Sequence, residues 1–305
     1  MHSPPIALFV GLAAWDTIAL VPSYPAADSR VIAEDIIEAG GGPAATAAVA
    51  CARLGVRSAF AGAVGDDRRG ERILESLAAE GVDVEGAIIC PGIPSTAAVI
   101  IADRAHGTRA LCPMRPLPLD LEARHEAAIA AASMVHVDQA GYGPVAAVLA
   151  RDNVRVPLSV DAGNPISGLD PALTTIFAPT LIQLRSMFGA GEARGLLARA
   201  GAPGWAVATD GGDGAYALDG QEMWHAPAHV VEPCVSTLGA GDVFHGALVA
   251  AWIRGFDVVR ATSYAVIAAG LSCGGVDGRS AIPDHDTVMA VLADYRAARV
   301  HPMEV

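Results

Sequence analysis

Short apolar runs alternate with longer amphipathic patterns along most of the chain. A run of about four to eight apolar residues bounded by turn residues is typical of a buried strand, whereas a longer pattern that ends at glycine is typical of a helix. The runs that predict strands of one large sheet lie at 6–11, 58–63, 134–137, 157–160, 181–184, 205–209, 214–218 and 225–227. The patterns that predict helices lie at 44–54, 69–79, 119–132, 242–253, 259–271 and 286–298. This alternation predicts an α/β fold with a doubly wound, mostly parallel sheet.

The segment 82–113 departs from this alternation, because no helix separates its strands. Its short β-branched or apolar runs lie at 87–89, 97–102 and 108–111, and the stretch 30–38 also alternates loosely. We therefore expect a small β-sheet lid, with strands from about 30–40 and 86–113 inserted into a single α/β domain that spans 1–305. An exposed sheet face invites pairing with a second copy, so a homodimer through the lid is expected.

The stretch Ser-Thr-Leu-Gly-Ala-Gly-Asp that ends at Asp242 forms a glycine-rich loop before a long apolar helix. Backbone N–H groups of Gly239, Ala240 and Gly241 would lie at the positive end of the helix dipole and could bind an anion. Asp242 in the first turn would be ionised there and able to accept a proton from a hydroxyl. Considered alone, the loop fits equally well a plain turn with a capping aspartate.

Three further stretches have the chemistry of a ligand site. Asp16 follows the first predicted strand, where open α/β sheets bind ligands, although a turn aspartate would look the same. The triple glycine that ends in Gly41 and Gly42 precedes a proline, which favours a fixed backbone approach to a ligand. The turn from Thr209 through Gly211 to Gly214 could hold phosphates or be an ordinary hairpin turn.

Composition narrows the classes of function. A net charge of −13 argues against a nucleic-acid backbone or an anionic membrane surface as partner. All 20 basic residues are arginines, so neither a phosphate-loop lysine nor a Schiff base is available. Five dispersed cysteines with no Cys-x-x-Cys pair, and no apolar run of membrane-spanning length, predict a cytoplasmic protein with buried thiols.

Taken together, the motifs resemble those of the ribokinase-like (PfkB) carbohydrate kinases over about residues 6–292. The motifs are Gly41-Gly42 with Thr46 and Arg53-Leu-Gly55, Gly62-x-Val-Gly-x-Asp67-x-x-Gly70, Thr209-x-Gly211-x-x-Gly214 and Thr237-x-Gly-Ala-Gly-Asp242. The runs 40–50, 241–247 and 278–284 are most similar to the branch of sulfofructose kinases and ketohexose kinases.

The resemblance implies transfer of a phosphoryl group from ATP, with Mg²⁺, to a hydroxyl of a ketohexose-like sugar. Asp242 would be the general base and Gly239, Ala240 and Gly241 the anion hole. The nucleotide would be held by Thr209, Gly211, Gly214, Thr237 and Gly239. The sugar would be held by Asp16, Gly41, Gly42 and Thr46.

Three positions depart from the family's pattern. Thr46 stands where the family has a sugar-binding asparagine, and Ser236 replaces an aspartate, which weakens the case for a K⁺ site. The Asn-x-x-Glu element that organises Mg²⁺ should lie around 181–184, where only Gln183 is polar, so the metal ligands are left unassigned, with Asp138 or Asp161 as substitutes. A binding protein of kinase fold without turnover therefore stays an alternative, as does a nucleoside kinase.

The sugar itself is left open between an anionic and a neutral ketohexose. Arg30 occupies a lid position where sulfofructose kinases carry a lysine, and Arg115 could supply a second cation. Gln139 replaces an arginine of that branch, which argues against an anionic group. Arg104 and Arg109 also lie on the predicted lid, where arginines on strand edges are commonly only solvated.

Overall fold

The computed structural model describes residues 6–152 and 154–300, so the ends of the predicted domain 1–305 lie outside the described residues. The strands are β1 (Ile6–Val10), β2 (Ala14–Val21), β3 (Asp35–Gly41), β4 (Arg57–Ala61), β5 (Ala63–Gly65), β6 (Ile88–Cys90), β7 (Ala98–Asp103), β8 (Thr108–Pro113), β9 (Met134–Val137), β10 (Leu158–Ala162), β11 (Ile176–Pro179), β12 (Trp205–Thr209), β13 (Ala215–Asp219), β14 (Glu222–Ala226) and β15 (Ala298–Val300). The helices are α1 (Pro43–Arg53), α2 (Arg68–Ala79), α3 (Ala123–Ala131), α4 (Tyr142–Asp152), α5 (Leu181–Phe188), α6 (Ala193–Ala200), α7 (Ala240–Ile253), α8 (Val258–Ser272) and α9 (His285–Asp294).

The large sheet has the strand order β15-β14-β13-β12-β11-β10-β9-β1-β4. Six of these strands run parallel, namely β12, β11, β10, β9, β1 and β4. Strands β13, β14 and β15 add an antiparallel edge. One face packs against a core that includes the alanine-rich α1, α7 and α8, and the other against a core that includes α3, α4, α5 and α6. Helices on both faces of a mostly parallel sheet confirm the predicted fold class.

A second, four-stranded sheet in the order β3-β2-β7-β8 forms the small sheet. Ile18 and Ile100 are buried on its inner face, which is directed at the carboxyl edge of the large sheet. The prediction of a small sheet is confirmed, but three details were wrong. Strand β2 was missed, β3 begins at Asp35 rather than near residue 30, and β6 pairs with β5 in a separate ribbon instead of joining the lid.

Strand β2 was missed because Asp16 interrupts its apolar run. Asp16 does not follow a strand of the large sheet, as predicted, but lies within β2 of the small sheet. There it points to the inner face together with Ile18, as alternate residues of a strand must.

Other errors are at element boundaries. The strand predicted at 181–184 or nearby lies at Ile176–Pro179, because Thr180 then caps α5, its hydroxyl accepting the Gln183 N–H at 3.0 Å. Helix α3 starts at Ala123 rather than 119. The last predicted helix, 286–298, ends at Asp294, and β15 follows it.

The five cysteines are unpaired, as their spacing predicts, but Cys112 and Cys234 are exposed rather than buried. Among the described residues, no helix has both the length and the apolar character that a membrane span requires.

Candidate active site

Two adjoining cavities lie where the small sheet covers the carboxyl edge of the large sheet. The first, of about 580 Å³, is lined by residues of the small sheet, α1 and the start of α7, among them Asp16, Gly41, Gly42, Thr46, Gln139, Gly239 and Asp242. The second, of about 460 Å³, is lined by Thr209, Gly211, Gly214, Thr237, Ala240 and Gly241. Arg109, Thr180, Thr209 and Gly241 line both cavities. The residues predicted to hold the sugar, other than Arg30 and Arg115, line the first cavity, and those predicted to hold the nucleotide, other than Gly239, line the second. The two spaces meet at the glycine-rich loop.

The glycine-rich loop enters α7 through Gly239, whose φ of 73° is left-handed. A Cβ on Gly239 would lie 2.6 Å from Cα of Gly278, so a larger residue would displace the loop. A Cβ on Gly241 would meet nothing within 4 Å, which means that the first turn of α7 is open to the cavities. Its N–H groups lack acceptors within the helix and can therefore bind an anion there.

Asp242 is half-buried in the first turn of α7. Burial raises the pKa of its carboxyl to about 7, and the negative charge of Asp161 adds to this, whereas His245 and Arg109 act in the opposite direction. A carboxylate with a pKa near neutrality is matched to general-base catalysis, because it is available in the ionised form and still has affinity for a proton.

The reaction should therefore depend on pH through Asp242. A base must be deprotonated to act, so kcat/KM is expected to rise about tenfold per pH unit below about pH 7 and to level above it. The measurement is kcat/KM for the sugar at saturating nucleotide. A profile that stays flat between about pH 5.5 and 8 would contradict the assignment of Asp242 as base.

Asp161, at the carboxyl end of β10, pairs with His245, one turn after Asp242 on α7. His245 Nε2 lies 3.1 Å from Asp161 Oδ1, and both side chains are over nine-tenths buried. Burial alone would raise the pKa of Asp161, but the charge and hydrogen bond of His245 hold it at about 2. Burial would lower the pKa of His245, and the Asp161 carboxylate outweighs this and raises it. Asp161 is therefore a permanent anion on the cavity wall.

Asp138 has a structural role instead. Its two carboxylate oxygens accept the backbone N–H groups of Leu12, Ala44, Ala140 and Gly141 at 2.7 to 3.3 Å. With these four bonds it joins β1, α1 and the loop after β9. Asp138 lines neither cavity, whereas Asp161 lines the first, which makes Asp161 the better candidate for a metal ligand.

The neighbouring Gln139 reaches the first cavity. Its Oε1 is buried and has no hydrogen-bond partner among the described residues. A buried amide oxygen without a partner is costly, so a ligand hydroxyl at this position would be favourable.

Asp16 approaches the first cavity from β2. Its Oδ1 accepts the Ala98 N–H at 2.8 Å, and a Cβ on Gly41 would lie 2.1 Å from its Oδ2. Burial raises the pKa of Asp16, although the Ala98 bond and the charge of Arg279 oppose this. The absence of a side chain at Gly41 keeps Oδ2 accessible for a hydroxyl.

Gly41 and Thr46 form part of the floor of the first cavity, and the charged residue Arg279, to which the sequence assigned no role, lies beneath them. Its side chain is buried, and its Nη2 donates to the Gly41 carbonyl at 2.8 Å and its Nε to Thr46 Oγ1 at 3.2 Å. Thr46, predicted to contact the sugar, is therefore engaged by a guanidinium. Burial lowers the pKa of Arg279 to about 10, so it stays charged at neutral pH.

Arg30 and Arg115, predicted to hold an anionic end of the sugar, are exposed and do not line either cavity. Arg30 lies in the loop before β3, not on a lid strand. Their role stays a prediction. Gln183 is likewise absent from both cavity walls, although Thr180, three residues before it, lines both.

Comparison with known proteins relates this site to a family. The pattern of the pfkB family carbohydrate kinases matches residues 7–285. The chain is 29% identical over 303 residues to the ATP-dependent ribose-1-phosphate kinase of Halopiger xanaduensis, covering 94% of this chain and 98% of that protein. It is 26% identical over 295 residues to the ribokinase of Bacillus subtilis, covering 93% and 98%.

A solved structure agrees with this relationship at the level of the fold. The ribokinase of Arabidopsis thaliana, solved with ribose and ATP, superimposes with a TM-score of 0.79 at 21% identity and covers 95% of this chain and 99% of that one. The resemblance to the sulfofructose kinase branch within the family stays a prediction. Because the family pattern spans most of its length, the chain belongs to the pfkB family of carbohydrate kinases.

Proposed function

We propose that the protein transfers the γ-phosphoryl group of ATP to a hydroxyl of a neutral sugar, a ketohexose or a pentose. The observation that carries the proposal is the position of Asp242. A carboxylate with a pKa raised to about 7 lines the first cavity in the first turn of α7, next to Gly241, which lines both cavities. This arrangement provides a proton acceptor for the nucleophile and donors for the negative charge of the transferring group.

In the proposed reaction the sugar occupies the first cavity. Asp16 and Gln139 accept hydrogen bonds from its hydroxyls, which orients one hydroxyl toward Asp242. Asp242 removes the proton as that oxygen attacks phosphorus. The N–H groups of Ala240 and Gly241 bind the phosphoryl oxygens and replace their water. The residues that would hold Mg²⁺ are Asp161 together with the phosphates, and the metal would neutralise charge between the phosphate groups. K⁺ is left out of the proposal because Ser236 brings no charge.

The second cavity suits a nucleotide. Apolar side chains, among them Val230, Phe244 and Val266, line one part of it and can contact a purine ring. The glycine turn at Gly211 and Gly214 lines another part and can approach phosphates. The name of the Halopiger xanaduensis relative supports ATP as donor.

A neutral acceptor follows from the charges of the cavities. Three carboxylates, those of Asp16, Asp161 and Asp242, line the first cavity. Against them stand Arg109, the one arginine among its described lining residues, and His245, which pairs with Asp161. A sulfonate or phosphate on the sugar would be repelled by this excess of negative charge. Fructose and ribose are thus favoured over their phosphorylated or sulfonated derivatives.

The test is a coupled assay of ADP formation with fructose, ribose, ribose 1-phosphate, a 6-sulfo ketohexose and a set of nucleosides. We expect kcat/KM for a neutral sugar to exceed that for its anionic derivative by about tenfold or more. Preference for the anionic member would contradict the neutral acceptor. Turnover with nucleosides alone would identify a nucleoside kinase, and nucleotide binding without turnover on any acceptor would indicate a protein that only binds.

The outer face of the small sheet predicts a homodimer. Ile36 is 65% and Val99 is 55% exposed, and the exposed Cys112 is paired with Val99 in the sheet register. An apolar sheet face of this kind is unfavourable in water, and a second copy of the same face would cover it. We expect a dimer by light scattering at micromolar concentration and a shift toward monomer in Val99→Lys. A monomeric wild-type protein would contradict this prediction.

A further inference from the structure

We propose that Arg109, carried by strand β8 of the small sheet, is a catalytic residue that binds the transferring phosphoryl group when the sheet covers the site. This inference rests on the proposed kinase function and assigns a further residue to the same site.

The first observation is the position of the guanidinium. Arg109 Nη1 donates a hydrogen bond to Thr237 Oγ1 at 2.6 Å, across 128 residues of sequence. Thr237 lies two residues before Gly239, the N-cap of α7. Arg109 is exposed, as arginines on strand edges commonly are, but its guanidinium lies beside the glycine-rich loop.

The second observation is that Arg109 belongs to both cavities. It lines the sugar-side and the nucleotide-side space, and it is the one arginine among the described residues that line either of them. The group that passes between the two spaces is the phosphoryl group. A cation at the junction can therefore contact that group during its whole transfer.

The third observation concerns the donors that are still available. A guanidinium has five N–H donors, and the bond to Thr237 is the one hydrogen bond that Arg109 makes with the described residues. The remaining donors can bind phosphoryl oxygens in the paired geometry that arginine favours.

The charge balance at the site makes such a cation necessary. The chain has no lysine, and the stretch 181–184, where the family resemblance places a glutamate that helps to hold Mg²⁺, contains no acidic residue. Asp161 and Asp242 are close enough for the charge of one to raise the pKa of the other, so an incoming phosphoryl group meets negative charge. The pKa of Asp242 is raised overall by burial, and the charge of Arg109 acts against this increase. The positive charge of Arg109 is therefore within effective range of the base.

The location on β8 also links chemistry to closure of the lid. Strand β8 forms an edge of the small sheet, where it pairs with β7, and the bond from Arg109 to Thr237 joins it to the loop before α7. If the hairpin moves away from the site, it withdraws the cation, so transfer requires the closed sheet. Hydrolysis of ATP by water in the open state would be suppressed for the same reason.

The experiment compares Arg109→Met and Arg109→Lys with a control, Arg104→Met. Arg104 lies next to the same hairpin, has a side chain that is 67% exposed, and pairs with Glu34 away from the cavities. For each protein we would measure kcat and KM for the sugar, and the affinities for ADP and for ADP with aluminium fluoride, in the presence of Mg²⁺ and sugar. Aluminium fluoride stands for the phosphoryl group in transfer.

We expect Arg109→Met to lose about 10²–10³-fold in kcat, with KM and ADP affinity within about threefold of wild type. Affinity for ADP with aluminium fluoride should fall by a factor similar to that of kcat, because the lost contact exists only in the transfer state. Arg109→Lys should recover part of the kcat and part of the affinity for ADP with aluminium fluoride. Arg104→Met should match wild type in both quantities.

A kcat within about threefold of wild type in Arg109→Met would overturn the inference. So would an equal loss of affinity for ADP and for the fluoride complex, because it would show uniform nucleotide binding. A different outcome would concern the wild-type protein. If it binds ADP with aluminium fluoride no more tightly than ADP alone, whichever sugar of the panel is present, then the kinase proposal fails, and this inference fails with it.

Discussion

Asp242→Asn is expected to lower kcat by about 10²–10⁴-fold and to leave KM for sugar and nucleotide within about threefold of wild type. Asparagine keeps the shape of the side chain and the first turn of α7, but its amide cannot accept the proton of the attacking hydroxyl. Since the cavities and the N–H groups of the loop stay in place, binding is preserved while the chemical step is lost.

The matched control is Asp242→Glu, which retains a carboxylate but moves it by one methylene. Its kcat should lie between those of wild type and Asp242→Asn, and its rate should still rise with pH, whereas the rate of Asp242→Asn should not show the step near pH 7. A variant Asp242→Asn with more than about a tenth of wild-type kcat, at saturating Mg²⁺ and both substrates, would show that another group is the base.

The glycine-rich loop was predictable because its chemistry is local. Two glycines, a small residue and an aspartate before an apolar helix specify a turn, an open N-terminus and a carboxylate in the first turn within a few residues. The alternation of strands and helices likewise predicted the large sheet, because buried parallel strands are short apolar runs.

The lid was harder to predict because its pattern is mixed. Most of strand β2 alternates buried and half-buried residues, but Asp16 occupies a buried position where an apolar residue would be usual. A carboxylate at such a position is unfavourable for a strand core, so the pattern resembles a loop. The exception fits the proposed function, in which Asp16 accepts hydrogen bonds from the sugar in the first cavity.

Arg109 and Arg279 could not be found from local patterns. Their partners Thr237 and Thr46 lie 128 and 233 residues away in sequence, and both contacts depend on how distant loops meet at the edge of the sheet. The one sequence signal for Arg279 was the Gly278-Arg279-Ser280 stretch, which belonged to the family resemblance without an assigned role. A buried arginine is unusual, but burial is visible only in the fold.

The second large effect is expected at Arg279, which acts through other residues and does not line the cavities. Its guanidinium holds the Gly41 carbonyl and Thr46 Oγ1, and these fix the floor on which the sugar would lie. Its charge also lowers the pKa of Asp16. Arg279 is thus placed to set both the position and the ionisation of the sugar-binding groups.

Arg279→Met should therefore raise KM for the sugar by about 10- to 100-fold, the range of a lost charge-assisted hydrogen bond, with a smaller change in kcat. The charges of Arg279 and Asp242 attract each other, so loss of the positive charge raises the pKa of this base, and the pH at which kcat/KM levels off should move upward. The measurement is the pH dependence of kcat/KM, beside thermal unfolding of each variant.

Arg279→Lys, which keeps the charge without the planar fork, should retain the wild-type pH profile and recover only part of the affinity. If Arg279→Met lowers the unfolding temperature but leaves KM and the pH profile unchanged, then Arg279 has a structural role only, and the floor of the sugar site does not depend on its charge.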